Sequence, residues 1–136
     1  MFELTIVTPS KKLVNQQVME EVYVPSFRGE LNILPGHAPL LTTLSEGVLR
    51  YKLEGDAKEK AVAISWGYCE VTPKGVSIMA ETAESPSEIN VERAKEALKA
   101  AEDELTKPDS QPEDIEKYHH KRLRAEARIR VGSDFQ

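Results

Sequence analysis

An α+β chain in two parts, an N-terminal antiparallel β-sandwich or barrel followed by a C-terminal antiparallel α-helical hairpin, is what the sequence predicts. Three observations carry it. From Met1 to about Glu84, apolar and polar residues alternate in short runs separated by closely spaced turn signals. After Ser85-Pro86-Ser87 the composition shifts to Ala, Glu, Lys and Arg, which are good helix formers. Within that second part, apolar residues recur at helical spacing. The division places one part at residues 1–86 and the other at 87–136.

The strands follow in order. Phe2, Leu4 and Ile6 alternate with Glu3, Thr5 and Val7, the pattern of a half-buried strand. Val22 and Val24 alternate with Glu21 and Tyr23 just before Pro25. Residues 48–53 alternate less cleanly, and Ala61 to Trp66 is a short apolar run. Val76, Ile78 and Ala80 alternate with Ser77, Met79 and Glu81. Turns are marked by Thr8-Pro9-Ser10, Pro25 to Gly29, Glu46-Gly47, Glu54-Gly55-Asp56 and Pro73-Lys74-Gly75. Many short strands with no intervening helical pattern point to an antiparallel sandwich or barrel.

The run from Gly29 to Thr43 stands apart, because prolines, glycines and a histidine interrupt otherwise apolar sequence. Pro35 and Pro39 cannot both sit in the ladder of a central strand. Gly36 after Pro35 permits the positive φ of a tight turn. The expected form is a strand over Glu30 to Leu34, a rigid turn, and a second extended piece from Leu40. Such a loop suits either a recognition surface or a packed corner.

In the second part Asn90, or Ser87 one turn earlier, is the expected N-cap of a helix over Val91 to Lys107, stopped by Pro108. Val91, Ala94, Leu98, Ala101 and Leu105 form a narrow seam suited to one partner helix. Ser110-Gln111-Pro112-Glu113 has the form of a capping box for a second helix, over Gln111 to Val131 before Gly132. Its apolar residues Ile115, Tyr118, Leu123, Ala127 and Ile129 make no continuous stripe. A short connection makes the two helices antiparallel neighbours.

Charge is uneven. Lys117, Lys121, Arg122, Arg124, Arg128 and Arg130 stand against Glu126 alone between residues 117 and 130, a local +5. The remaining residues of a chain of net charge −5 therefore carry −10. A charge run of this kind is commonly just a solvated helix face. Against that, the first helix mixes its signs as solvated helices do, whereas this one suits an acidic partner met after leaving an acidic body. Its thin apolar face makes its docking energy small and its release easy.

Composition bounds the function. At 136 residues the chain can hold one domain with a core, or a small domain and an appendage. A net charge of −5 argues against general nucleic-acid binding. One cysteine, Cys69, allows no intrachain disulfide and no cysteine-rich metal site. The start Met1-Phe2-Glu3 lacks the basic and apolar regions of a signal peptide, and no apolar run approaches a membrane span. A soluble chain is expected.

The search for catalytic motifs finds no phosphate loop, no dinucleotide fingerprint and no nucleophile elbow. His119 and His120 are adjacent, so on a helix they point about 100° apart, unlike a metal-binding i,i+4 pair. They are expected to be exposed. Cys69 reads as a small core residue, and Trp66 as packed in the sandwich or at its edge. Glu30 and His37 lack the nucleophile or metal cluster that would make them an acid–base site. Nothing here supports an independent enzyme.

Gly29-Glu30-Leu31-Asn32-Ile33-Leu34-Pro35-Gly36-His37-Ala38-Pro39-Leu40-Leu41-Thr42 is similar to the signature G-E-L-G-I-x-P-G-H-A-P-L-L-T. Glu46 to Arg50, Trp66 to Val71 and Ala80 to Ala83 add support. On these residues the chain resembles the ε subunits of bacterial and chloroplast F-type ATP synthases, called δ in mitochondria. It departs at Asn32, where the family often has Gly, and at Ser65-Trp66, which replaces a small-residue pair.

The resemblance implies a non-catalytic central-stalk subunit whose sandwich docks on the γ subunit and on the membrane rotor ring of c subunits. Glu30 matches the position at the c-ring contact, and His37 and Thr42 match positions at the γ interface. The family's hairpin switches between a folded and an extended state, the latter reaching the α/β catalytic subunits and inhibiting ATP hydrolysis. Lys121, Arg122, Arg124 and Arg128 are the expected contacts to acidic loops of β. No cofactor is required, no nucleic acid is a partner, and no segment spans the membrane. The expected place is peripheral, on the cytoplasmic face of the bacterial inner membrane rather than at a chloroplast thylakoid.

Some relatives bind ATP as a regulatory ligand through a motif I/L-D-x-x-R-A. Ile89-Asn90-Val91-Glu92-Arg93-Ala94 matches except at Asn90, which can accept a hydrogen bond but lacks the charge. Asn90 and Arg93 with Arg124 and Arg128 form the nucleotide-binding set this implies. Three readings therefore compete: a stalk and inhibitor subunit, an ATP-sensing module, and a free-standing sandwich with the helices as a cap.

Overall fold

Nine strands and two helices make up the chain in a computed structural model that describes residues 1–109 and 111–135. The strands are β1 (Glu3–Val7), β2 (Lys12–Ser26), β3 (Gly29–Ile33), β4 (Leu40–Leu44), β5 (Gly47–Leu53), β6 (Lys60–Ile64), β7 (Gly67–Thr72), β8 (Gly75–Ala80) and β9 (Ala83–Glu84). A 3₁₀ turn (Pro86–Glu88) leads to α1 (Val91–Leu105) and α2 (Pro112–Asp134).

The long strand β2 is the fold line. Its first half pairs with β1 (Leu4↔Gln17), and its second half pairs with β3 and β5 (Val22↔Ile33, Val22↔Tyr51). From β1 the sheet continues through β8 and β7 to β4; from β5 it continues through β6 to β9. The two halves close on a core in which Leu4, Ile6, Val22, Val24, Ile33, Leu44, Leu49 and Ile78 have no exposed surface.

Only the second half of β2 shows in the alternation. Its buried residues are Val14, Met19, Val22 and Val24, so two of the three spacings are odd. Each odd spacing coincides with a shift of register, one against β1 and one against β5. An extra residue at a bulge turns the next side chain to the same face, which erases the two-residue period. Pro25 lies inside β2 rather than in the turn, which narrows to Phe27-Arg28.

One pairing is not antiparallel: β1 runs parallel to β8, starting at Glu3↔Gly75. Any side chain at residue 75 would collide with the backbone of Glu3, so only glycine admits this approach.

The hairpin forms with its seam inward. Ala94 and Ala101 of α1 are buried, while Val91, Leu98 and Leu105 are half-buried. Asn90 caps it, its Oδ1 accepting from Arg93 N–H at 3.0 Å. The capping box at Ser110 lies outside the described residues, and Gln111, the residue before α2, makes no side-chain cap.

α2 also runs on through Gly132, which the sequence marked as its stop. That glycine serves packing: a Cβ there would stand 2.6 Å from Val91 Cγ2. Small residues, Ala125, Ala127 and Gly132 with Val131, are what α2 buries, while Ile115 remains 45% exposed. α2 must lie close to two partners at once, α1 and the sheet. Its last turns cover β5 and β6, where Ala127 and Val131 pack on Val48, Ala61, Ala63 and Ile89. The hairpin is folded down.

Candidate functional site

Two regions carry the residues singled out by sequence: the loop between β3 and β4 with its surroundings, and the basic helix α2. In the loop, His37 N–H donates to the Leu34 carbonyl at 3.0 Å, closing a turn with Pro35 and Gly36 in the middle. Gly36 has φ +86°, as the third position of a type II turn demands. His37 Nδ1 is 2.8 Å from the Ala38 carbonyl, which only accepts, so that nitrogen carries the proton.

His37 and Thr42 come together. Both line a cleft of about 480 Å³ with Phe27, Arg28, Leu31 and Leu40. Its walls are strands with unpaired edges, since β3 bonds only to β2, and β4 reaches β2 at the single pair Ser26↔Leu44. An unpaired edge offers backbone donors and acceptors to another chain.

Glu30 lies apart from this cleft. Its Oε1 accepts from Arg50 Nη2 at 2.8 Å, and Arg50 Nη1 also reaches Glu59 at 3.1 Å. Arg50 is stacked over the Tyr23 ring, 4.1 Å from its centre. Burial disfavours the charge of Arg50, but its hydrogen bonds and attraction to Glu30 and Glu59 prevail and raise its pKa. Glu30 and His37 share no contact, so no acid–base pair forms.

Sequence reasoning missed an apolar face on the outside of β7 and β8. Trp66, expected within the sandwich or at its edge, is 46% exposed, and its ring meets Tyr68 edge to face at 6.0 Å. With Val7, Pro9, Met79 and Ala80 they line a groove of about 450 Å³. The signal was present in the phase: Tyr68 and Met79 are opposed across β7 and β8, and both alternate with the buried Cys69 and Ile78. Large apolar groups at outward positions mark a surface that another molecule covers. Cys69 is in the core as read, and burial pushes its thiol up to about 12, which makes it inert.

On α2 the basic residues divide. Arg128 Nε lies 3.2 Å from Glu84 Oε1 of β9, with both side chains largely covered. Arg122 turns back on its own helix, 3.0 Å from His119 Nδ1. Lys121 sits over the Tyr118 ring, and Arg124 is exposed with no ion pair among the described residues. His120, expected to be exposed, keeps 42% of its side chain exposed but stands 2.9 Å from Glu46 in the turn between β4 and β5. Helix periodicity alone cannot show that a second body lies against that turn. Among the described residues no three metal-binding side chains cluster.

A cleft of about 550 Å³ separates the helices, floored by Ala97, Ala100 and Ala101 and walled by Lys121, Arg124 and Arg128. Asn90 and Arg93 do not line it, and Asn90 spends its oxygen on the cap. The four-residue set is thus split, two cations in the cleft and two residues outside it. No described helix is long and apolar enough to cross a membrane.

Comparison with known proteins agrees with this architecture. Residues 1–86 match the family model for the ATP synthase delta/epsilon chain β-sandwich domain, and residues 87–132 that for its long α-helix domain. The chain is 46% identical over 130 residues to an ATP synthase epsilon chain of Bdellovibrio bacteriovorus, covering 96% of this chain and 93% of that one. It is 52% identical over 104 residues to one from Koribacter versatilis, covering 76% and 71%. Its fold is similar to a chain in the cryo-EM structure of the Euglena gracilis mitochondrial ATP synthase, with a TM-score of 0.82 and 24% identity, covering 93% and 78%.

Proposed function

The chain belongs to the ATP synthase delta/epsilon family, and we propose that it is the ε subunit of the central stalk, joining γ to the c-ring and restraining ATP hydrolysis through its helices. It catalyses no step itself and sits peripherally on the cytoplasmic face of the bacterial membrane. The γ subunit covers the cleft with His37 and Thr42 and the apolar face around Trp66 and Tyr68. Glu30 meets the c-ring. A type II turn and two edge strands hold this end in shape before contact, so little order is lost on docking.

The observation that carries the reading is the nature of the hairpin's attachment. It rests on one apolar cluster and two polar contacts, the Arg128–Glu84 ion pair and the approach of His120 to Glu46. Lys121 and Arg124 remain outside these pairs. Released, the helix brings its local +5 to acidic loops of β, where the opposite charge steers and holds it. Replacing Lys121, Arg122 and Arg124 by Ala, with Arg128 kept on Glu84, in the assembled complex is expected to raise ATP hydrolysis at unchanged subunit occupancy. Unchanged hydrolysis at full occupancy refutes this account.

A second role, ATP sensing, is favoured by the interhelical cleft with Lys121, Arg124 and Arg128 on one wall. A ligand that binds only the folded hairpin raises its melting temperature, by an amount that grows with the logarithm of ligand concentration above the dissociation constant. Titration of the subunit with ATP tests this, and a flat response removes it.

A further inference from the structure

Outside the cleft and the hairpin, the densest set of charged side chains surrounds Arg50. Strand pairing assembles it. Tyr23 of β2 lies opposite Arg50 of β5 on one side and Asn32 of β3 on the other, while Glu30 lies opposite Pro25. Residues opposed across an antiparallel pair share a face, so Tyr23, Arg50 and Glu30 stand on the same outer surface. Glu59, just before β6, approaches Arg50 from the far side.

The Arg50 guanidinium is held on three sides. Nη2 donates to Glu30 at 2.8 Å, Nη1 donates to Glu59 at 3.1 Å, and the Tyr23 ring lies beneath at 4.1 Å. Its side chain is 19% exposed, against 41% for Glu30. The buried partner is therefore the fixed one and the exposed partner the one oriented. One guanidinium between two carboxylates leaves the group with a net charge of −1. Glu30 Oε1 is engaged, and the second oxygen is left to accept from a donor.

We infer that Arg50 is a positioning residue for the rotor contact: it fixes the Glu30 carboxylate in the orientation in which it accepts a hydrogen bond from a cationic or N–H donor on the c-ring. This rests on Glu30 as the c-ring contact. A glutamate on an exposed strand samples many rotamers, and one locked beforehand loses less freedom on docking. Arg is suited to the task, since its planar fork holds two carboxylates at once where Lys holds one.

The test uses catalytic heads carrying the variant subunit and membranes stripped of them, with rebinding affinity as the readout. Glu30→Ala is expected to lower affinity about tenfold, the size of one charge-assisted hydrogen bond. Arg50→Gln is expected to lower it by a similar factor, and the double variant no further. Arg50→Lys, a milder change that keeps the cation, is expected to cost about threefold and serves if Arg50→Gln does not fold. Arg50→Gln with full affinity beside a weakened Glu30→Ala overturns the positioning role. Losses that multiply in the double variant overturn it as well, since they mark a structural effect independent of Glu30. Full affinity with Glu30→Ala takes down the contact reading itself, and the inference with it.

Discussion

Glu84→Gln is expected to loosen the hairpin from the sandwich while leaving the sandwich core intact. Glu84 lies on β9 opposite Ala63, and its Oε1 stands 3.2 Å from Arg128 Nε with both side chains 22% exposed. Exposed ion pairs are worth about 0–1 kcal/mol, and breaking a buried one costs about 3–5 kcal/mol. A pair this covered falls between, at about 1.5 kcal/mol. The apolar part of the attachment is one cluster, Val48, Ala61, Ala63 and Ile89 with Ala127 and Val131, edged by Val91 and Phe135. Losing about 1.4 kcal/mol shifts the folded-to-released ratio about tenfold.

The assay follows from the burial of Ala63, which is 4% exposed beneath α2. In an Ala63→Cys background, the rate of thiol labelling reports how often the hairpin lifts. Adding Glu84→Gln is expected to speed labelling about tenfold with no change in the denaturation of the sandwich. An unchanged rate refutes the reasoning, because it means that the pair adds nothing to docking.

Other outcomes follow from single residues. Gly132→Ala gains about 1 kcal/mol of helix propensity but forces a Cβ to 2.6 Å from Val91 Cγ2, at a cost of about 1–3 kcal/mol; faster labelling of Ala63→Cys is expected. Hydrogen bonds from Lys11, then from the Ser85 backbone, hold the Glu88 pKa below its ordinary 4.5. A depressed carboxylate stabilises the fold above its unfolded pKa, and that contribution is lost as pH falls through the folded value. Carboxylate titration by NMR is expected to place the Glu88 midpoint below 4.5 and to raise it towards that value in Lys11→Met, where the Ser85 hydrogen bond remains. Cys69, fully buried with its thiol pushed up to about 12, is expected to resist thiol reagents at pH 8 until the chain unfolds.

What the sequence made legible depended on whether a residue's partner lay on its own element. The seam of α1 needs only one facing helix, and it buries the residues its spacing names. The turn at Pro35-Gly36 is written in local conformational preference, and it closes as expected. β2 failed to show because its bulges are set by two neighbours with different registers, β1 and β5. Gly132 read as a stop because glycine after a helical run is a local stop signal, whereas its value lies in contact with Val91, forty-one positions earlier. His120 and Trp66 were read only in part: the first has a distant partner, Glu46, that helix periodicity could not show, and the second lies at the turn between β6 and β7 with its ring half outside. Glu30 was singled out by its motif, whereas Arg50, which holds its carboxylate, becomes visible only when β5 and β3 flank the same strand.

The most direct test of the central claim is ATP hydrolysis by the assembled complex with the hairpin locked to the sandwich. Glu46 and His120 stand in contact across that junction, so Glu46→Cys with His120→Cys accepts a short bismaleimide, to which the buried Cys69 is inert. A hairpin that inhibits only when released predicts that the crosslinked complex hydrolyses ATP faster than the same double variant left uncrosslinked. Equal rates at full crosslinking contradict it, since they mean that release of the hairpin does not restrain hydrolysis.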